Sequence, residues 1–217
     1  EQAITALAHF KDLKGYISLY KKIKPTHRDL TSSFLQGLDR IDPNNSKVID
    51  LILEALIKFH GDLRGIGLGN ISTEQGYQYF LGKLSKDPSL FNKLDQGYSS
   101  YLSDSLPERL KKFWTKKISV AISNLIRTFE YYSSSKLAED IIKAWKLNEP
   151  DSIRKIAQWY LEDWKKGKKL NYEYFTLLKD EITIENAEEI AIILSPISGS
   201  DSWASSLFFQ YRHSNID

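Results

Sequence analysis

Apolar residues recur at three- and four-residue steps along most of this chain, the spacing of one buried face on an α-helix. The longest such run joins Leu106, Leu110, Phe113, Trp114, Ile118, Ala121, Ile122, Leu125, Phe129 and Tyr132. It predicts a single long helix from Pro107 to Tyr132, with the proline in the first turn, where a missing N–H does no harm. At about 100° per residue, Arg109, Lys112, Lys116 and Arg127 fall together on the far side of that helix, with Ser119 and Ser123 beside them. The helix thus reads as apolar inside and basic outside.

The same reading places helices at 2–22, Asp29–Ile41, Lys47–Leu63, a segment after Thr73, Ser89–Leu102, Ser135–Leu147, Ser152–Lys166, Tyr172–Ile182, Ile184–Leu194 and Ser202–His213. Their ends are marked by turn and capping residues: the Asp42-Pro43-Asn44-Asn45 turn with Ser46 as N-cap, Thr73, Asp87-Pro88, Glu149-Pro150 with Asp151 as N-cap, Gly167 as a stop, and Thr183 with Glu185 and Asn186. Lys47–Leu63 is apolar around much of its circumference, which predicts burial between neighbours. No strand is predicted. The expected fold class is all-α, a compact multi-helix bundle with Pro107–Tyr132 at its centre. An irregular helix-pair solenoid is the second choice, because no fixed repeat period is visible. Linkers are short, so residues 1–217 read as a single all-helical domain.

Composition narrows the class without naming a function. Hydrophobic residues make up 41% and charged residues 27% of 217 residues, the balance of an ordinary folded, soluble domain rather than a disordered chain. Cysteine is absent, which removes disulfides, thiolate metal sites and cysteine nucleophiles. Methionine is absent too, including at position 1, so the chain reads as a processed form or a piece of a longer protein. Its first residues do not read as a signal peptide. No window approaches the roughly 18 consecutive apolar residues of a membrane span. The compartment and the oligomeric state stay open.

The net charge of +2 conceals an asymmetry. Between residues 108 and 127, Arg109, Lys111, Lys112, Lys116, Lys117 and Arg127 face Glu108 alone; between 173 and 189, Glu173, Asp180, Glu181, Glu185, Glu188 and Glu189 face Lys179 alone. A second basic run, Arg154, Lys155, Lys165, Lys166, Lys168 and Lys169, is interleaved with Trp159, Tyr160 and Trp164. A third, Lys21, Lys22, Lys24 and Arg28, lies nearer the N-terminus. Phosphate-backbone binding requires several such cations on one face, and aromatics can stack on unpaired bases. Otherwise the aromatics are core and the lysines a solvated surface.

No spacing in the chain matches a catalytic or cofactor motif. Gly65-Ile66-Gly67-Leu68-Gly69-Asn70 lacks both the preceding strand of a dinucleotide fingerprint and the Gly-Lys-Ser/Thr of a Walker loop. It reads instead as a helix C-cap at Gly65, with Gly67 and Gly69 allowing a tight reversal. Of the four histidines, only His9 with Asp12 and His213 with Asp217 have helical metal-ligand spacing, and neither has a second half. His60 is a candidate axial haem ligand or a pocket residue beside the glycine stretch. Glu185, Glu188 and Glu189 share a helix face that could meet a cation or a basic partner, and Asp50 with Glu54 is a second same-face pair. Tyr98, Tyr101, Tyr131, Tyr132, Tyr172 and Tyr174 are expected to be only partly buried, as at recognition surfaces.

These features point to a non-enzymatic binding module for another macromolecule, foremost another protein, with no cofactor and no assigned catalytic residue. The alternative is nucleic-acid binding through Arg109, Lys112, Lys116, Arg127, Lys165, Lys166, Lys168 and Lys169. A helical-bundle enzyme or ligand or haem carrier near His60 is the third reading.

Overall fold

The computed structural model describes residues 12–23, 26–60, 63, 66–98, 106–127, 135–168, 174, 177–178, 181–197, 199 and 204–205. Among them are ten α-helices, two short 3-10 turns and no strand, an all-α multi-helix architecture. The backbone divides into two compact units, residues 1–126 with 134–145 and residues 127–133 with 146–217.

In the first unit, α1 (Leu13–Ile23) packs on α2 (Arg28–Ile41). Tyr16 and Tyr20 set their ring edges against Phe34 with centroids 5.7 and 5.6 Å away, a geometry favoured by the ring quadrupole. Helix α3 (Ser46–Lys58) buries Val48, Ile49, Leu51, Ile52, Leu53, Ala55 and Leu56, which cover most of its circumference. It is accordingly packed on α2, α4 (Glu74–Lys86) and α5 (Leu90–Tyr98). The N-cap of α3 is Asn45 rather than Ser46: its side-chain oxygen accepts the Lys47 N–H at 3.1 Å, so Ser46 is already helical. At the other end the chain leaves α3 through His60, whose φ of +49° is left-handed. The helix therefore ends before Gly65, which lies outside the described residues.

The predicted helix Pro107–Tyr132 is two helices, α6 (Leu106–Lys112) and α7 (Lys116–Arg127). Phe113 and Trp114 donate their N–H groups to Leu110 and Lys111, three residues back, which tightens and ends the first helix. Thr115 then begins the second, its hydroxyl accepting the Ile118 N–H at 3.3 Å. Apolar periodicity runs through the break, so it carries no trace there. Residues 128–134, including Phe129, Tyr131 and Tyr132, lie outside the described residues.

The buried face of α7 is Ile118, Ser119, Ile122, Leu125 and Ile126. Ser119 and Ser123 thus leave the solvent side on which periodicity put them: Ser119 is buried, and Ser123 accepts the Trp145 indole N–H at 3.1 Å. Trp145 belongs to α8 (Lys136–Asn148) and is fully buried. The start of α8 is held from α5: the Asp95 carboxylate accepts the Ser135 hydroxyl at 3.2 Å and the Lys136 and Leu137 N–H groups at 3.2 and 3.0 Å.

In the second unit α9 (Ser152–Lys165) packs on α10 (Ile184–Leu194), which runs into a 3-10 turn at Ser195–Ile197. Asp151 occupies the N-cap position of α9 without a side-chain capping bond. Gly167 closes α9 as expected: with φ of +65° it donates to Trp164, and Lys168 donates to Asp163, the paired bonds of a Schellman ending. At Thr183 the predicted helix start also holds, with Asn186 Oδ1 accepting the Thr183 N–H at 2.8 Å. The core of this unit includes Ile156, Ala157, Tyr160, Tyr174, Leu178, Ile190 and Leu194. Of the predicted helices at 2–22 and Ser202–His213, residues 1–11, 200–203 and 206–217 lie outside the described residues, as does most of 169–180. No helix among the described residues is long and apolar enough to cross a membrane.

Candidate functional site

The eight basic residues singled out by sequence divide between the units and between roles. Arg109, Lys112 and Lys116 belong to the first unit; Arg127, Lys165, Lys166 and Lys168 belong to the second; Lys169 lies outside the described residues. Arg109 is half-buried and clamps the glycine stretch, its Nη1 donating to the Gly69 carbonyl. Arg127 pairs with Glu162 at 3.2 Å and Asp163 at 3.7 Å while its guanidinium lies over the Trp159 ring, 5.5 Å from the centroid. Lys168 pairs with Asp163 at 3.3 Å and Lys166 reaches Glu162 at 4.0 Å. Lys112, Lys116 and Lys165 remain as exposed cations.

The other singled-out residues are also assigned to structure. Gly67 is extended and leads into the 3-10 turn Leu68–Asn70, which is pinned from three sides. Asn70 accepts the Gly67 N–H at 2.8 Å and donates to Asp39 at 3.1 Å, and Arg109 holds Gly69. Burial raises the Asp39 carboxyl above its ordinary value, partly countered by the Asn70 bond and by Arg40. Asp50 accepts the Tyr79 hydroxyl at 2.9 Å and pairs with Lys83 at 2.8 Å. Within the acidic segment, Glu189 pairs with Arg154 at 3.1 Å and Glu181 with Lys146 at 2.8 Å. His60 is exposed at the left-handed end of α3, and His9 and His213 lie outside the described residues.

Tyr174 corrects an expectation. It is 1% exposed, its ring tilted at 46° to that of Trp159 with centroids 6.3 Å apart, and burial pushes its hydroxyl pKa up to about 12. Its aromatic ring fills space between helices instead of meeting solvent, beside a half-buried Trp159 and in the same core as the buried Tyr160. Tyr101, Tyr131, Tyr132 and Tyr172 lie outside the described residues, as does the side chain of Tyr98.

A cleft in the first unit draws on residues that no motif joined. It has a volume of about 530 Å³, opens to solvent, and is lined by Asn44, Thr73, Glu74, Gln75, Gln78 and Lys117. The N-terminal ends of α3, α4 and α7 meet here. Thr73 caps α4 by accepting the Gly76 N–H at 3.1 Å, and its hydroxyl donates to Asn44 in the turn before α3. Thr115, which caps α7, donates to Glu74 Oε1 at 3.3 Å, and Gln78 donates to the same oxygen at 2.7 Å. Caps and carboxylate therefore brace one another around the rim.

Beside the Glu74 carboxylate, whose Oε1 takes both of these bonds, the cleft is lined by neutral amides and one ammonium. Among the described residues, Gln75 and Lys117 have no side-chain partner, and Lys117 is exposed. The sequence does carry a partial signal: three capping positions, Asn45, Thr73 and Thr115, stand before three helices. Nothing in their spacing says that those helix ends converge. Comparison of the chain with family models, curated proteins and solved structures finds no match.

Proposed function

We propose that the protein is a non-enzymatic binding module that recognises another protein, and that the cleft lined by Asn44, Thr73, Glu74, Gln75, Gln78 and Lys117 is where it does so. The observation that carries this reading is the character of the lining. Side-chain amides offer donors and acceptors together, which suits the alternating C=O and N–H groups of a peptide backbone. The cleft is open and polar, like the wet rim of a transient interface, and unlike the enclosed apolar pockets that small ligands favour.

Nucleic-acid binding draws less support from the same molecule. Of the eight cations named for that reading, Arg127, Lys166 and Lys168 already have carboxylate partners and Arg109 a backbone one, which leaves Lys112, Lys116 and Lys165 among the described residues to displace counterions.

The test is a photo-crosslinking residue at position 75 in extract from the source organism. A protein adduct that disappears when Asn44→Ala and Gln78→Ala are added is the expected result. A crosslinker at Arg154, in the other unit, serves as control. An adduct formed only with nucleic acid, or none above the control, would overturn the reading.

A further inference from the structure

We infer that the partner segment taken by the cleft is acidic, presenting a peptide carboxylate to Lys117; this inference rests on the protein-binding reading above. Two charges line the cleft, and they are not equivalent. The Glu74 carboxylate already accepts hydrogen bonds from Gln78 at 2.7 Å and Thr115 at 3.3 Å. Both bonds fall on Oε1, so Glu74 keeps its charge and its Oε2, but the carboxylate is tied to its own rim while Lys117 is not.

Lys117 stands in the opposite position. Among the described residues lining the cleft it is the one cation, its side chain is exposed, and no described carboxylate lies within ion-pair distance. Its neighbour Lys116 is exposed as well, while Glu108, the nearest acid in sequence, lies on α6. Asn45, Thr73 and Thr115 each occupy one N–H of the helix ends that border the cleft, and Lys117 brings the full positive charge there. Gln75 and the Asn44 amide nitrogen then supply donors for the second carboxylate oxygen or the flanking backbone.

One lysine beside a carboxylate is a poor match for a chain of phosphates, which rewards several cations in a row. It suits a single carboxylate set among neutral groups. That carboxylate can come from an Asp or Glu side chain or from a chain terminus, and the two sources are separable.

The experiment measures binding of the full chain to matched sets of short peptides by fluorescence anisotropy. One set contains Asp and Glu, a second replaces them with Asn and Gln, and a third with Lys; each is made with free and amidated C-termini. Lys117→Glu and Gln75→Ala are compared with the wild type. Lys117→Glu is a safe variant, because an acid in the first turn of α7 is favoured by the helix dipole, so its Tm equals or exceeds that of the wild type.

The expected result is preferential binding of acidic peptides, weakened about fivefold to tenfold by Lys117→Glu, the range for an exposed pair once repulsion replaces attraction. The same variant shifts preference toward the Lys set. If amidation alone abolishes binding, the carboxylate is terminal; if it does not, it is a side chain. Equal binding of neutral and acidic peptides, lost in Gln75→Ala but untouched by Lys117→Glu, overturns the acidic inference and leaves the protein-binding reading standing. Failure of every peptide set overturns both.

Discussion

Two helix glycines show how residue type and position part company. Gly82, in α4, has open space where a Cβ would be, so Gly82→Ala gains helix propensity without cost. It is expected to raise stability by about 0.5–1 kcal/mol in urea unfolding. Gly37, in α2, sits under the Tyr16 ring, and a Cβ there would lie 2.6 Å from Tyr16 Cζ. Tyr16 is buried and packed on Phe34, so the ring cannot step aside freely. Gly37→Ala is therefore expected to destabilise by about 1–3 kcal/mol despite its better propensity, and Tyr16→Phe in the same chain to recover part of the loss. A stabilised Gly37→Ala protein would contradict this packing.

Asp39 makes a pH-dependent prediction at the same scale. Burial raises its folded-state value above the ordinary 3.8, while the Asn70 bond and Arg40 oppose the shift. The folded protein thus holds this proton more tightly than the unfolded chain does. Asp39's contribution to stability is present below 3.8 and is lost as pH rises through its higher folded value. Asp39→Asn keeps an acceptor for Asn70 Nδ2 and removes the buried charge. Stability of the variant near pH 7 should equal or exceed the wild type, with a flatter profile as pH rises above 3.8. Denaturant midpoints across that range check it; a variant weakened at neutral pH would show that the charge itself is needed.

At the scale of elements, helix existence was legible and helix boundaries depended on capping. Thr73 and Gly167 act as their residue types suggest, since each cap is local and its partner lies within a few positions. The break at Phe113–Thr115 was not legible. There Phe113 leaves the helical path to pack on Tyr77, 5.7 Å between centroids, and Thr115 restarts it. Periodicity records which side of a segment is apolar, and both halves share that side.

The start of α8 depends still less on its own sequence. Ser135, expected as the first residue of this helix, instead precedes it: its hydroxyl donates to Asp95 while also accepting the Ala138 N–H at 3.3 Å. Asp95 adds the two bonds to Lys136 and Leu137, acting as a carboxylate cap delivered from α5. Asp95→Ala is expected to cost about 1–2 kcal/mol, with Asp95→Asn intermediate. Hydrogen exchange at the first turn of α8 should rise selectively; unchanged protection there would mean that Ser135 suffices alone.

At the scale of the molecule, the all-α class followed from the chain because burying one apolar stripe per helix needs only local spacing. Absence of cysteine and a small net charge are likewise properties of the chain that no fold can alter. What those charges do was decided by tertiary structure. Arg127, Lys166 and Lys168 became partners of Glu162 and Asp163, and Arg109 became a clamp on Gly69. Lys117, one basic residue among many along the chain, became the cation of a cleft because Asn44, Thr73 and Gln78 were brought to it. Apolar burial reads out through spacing along one helix, whereas a charge takes its role from whatever carboxylate, carbonyl or solvent the folded chain sets beside it.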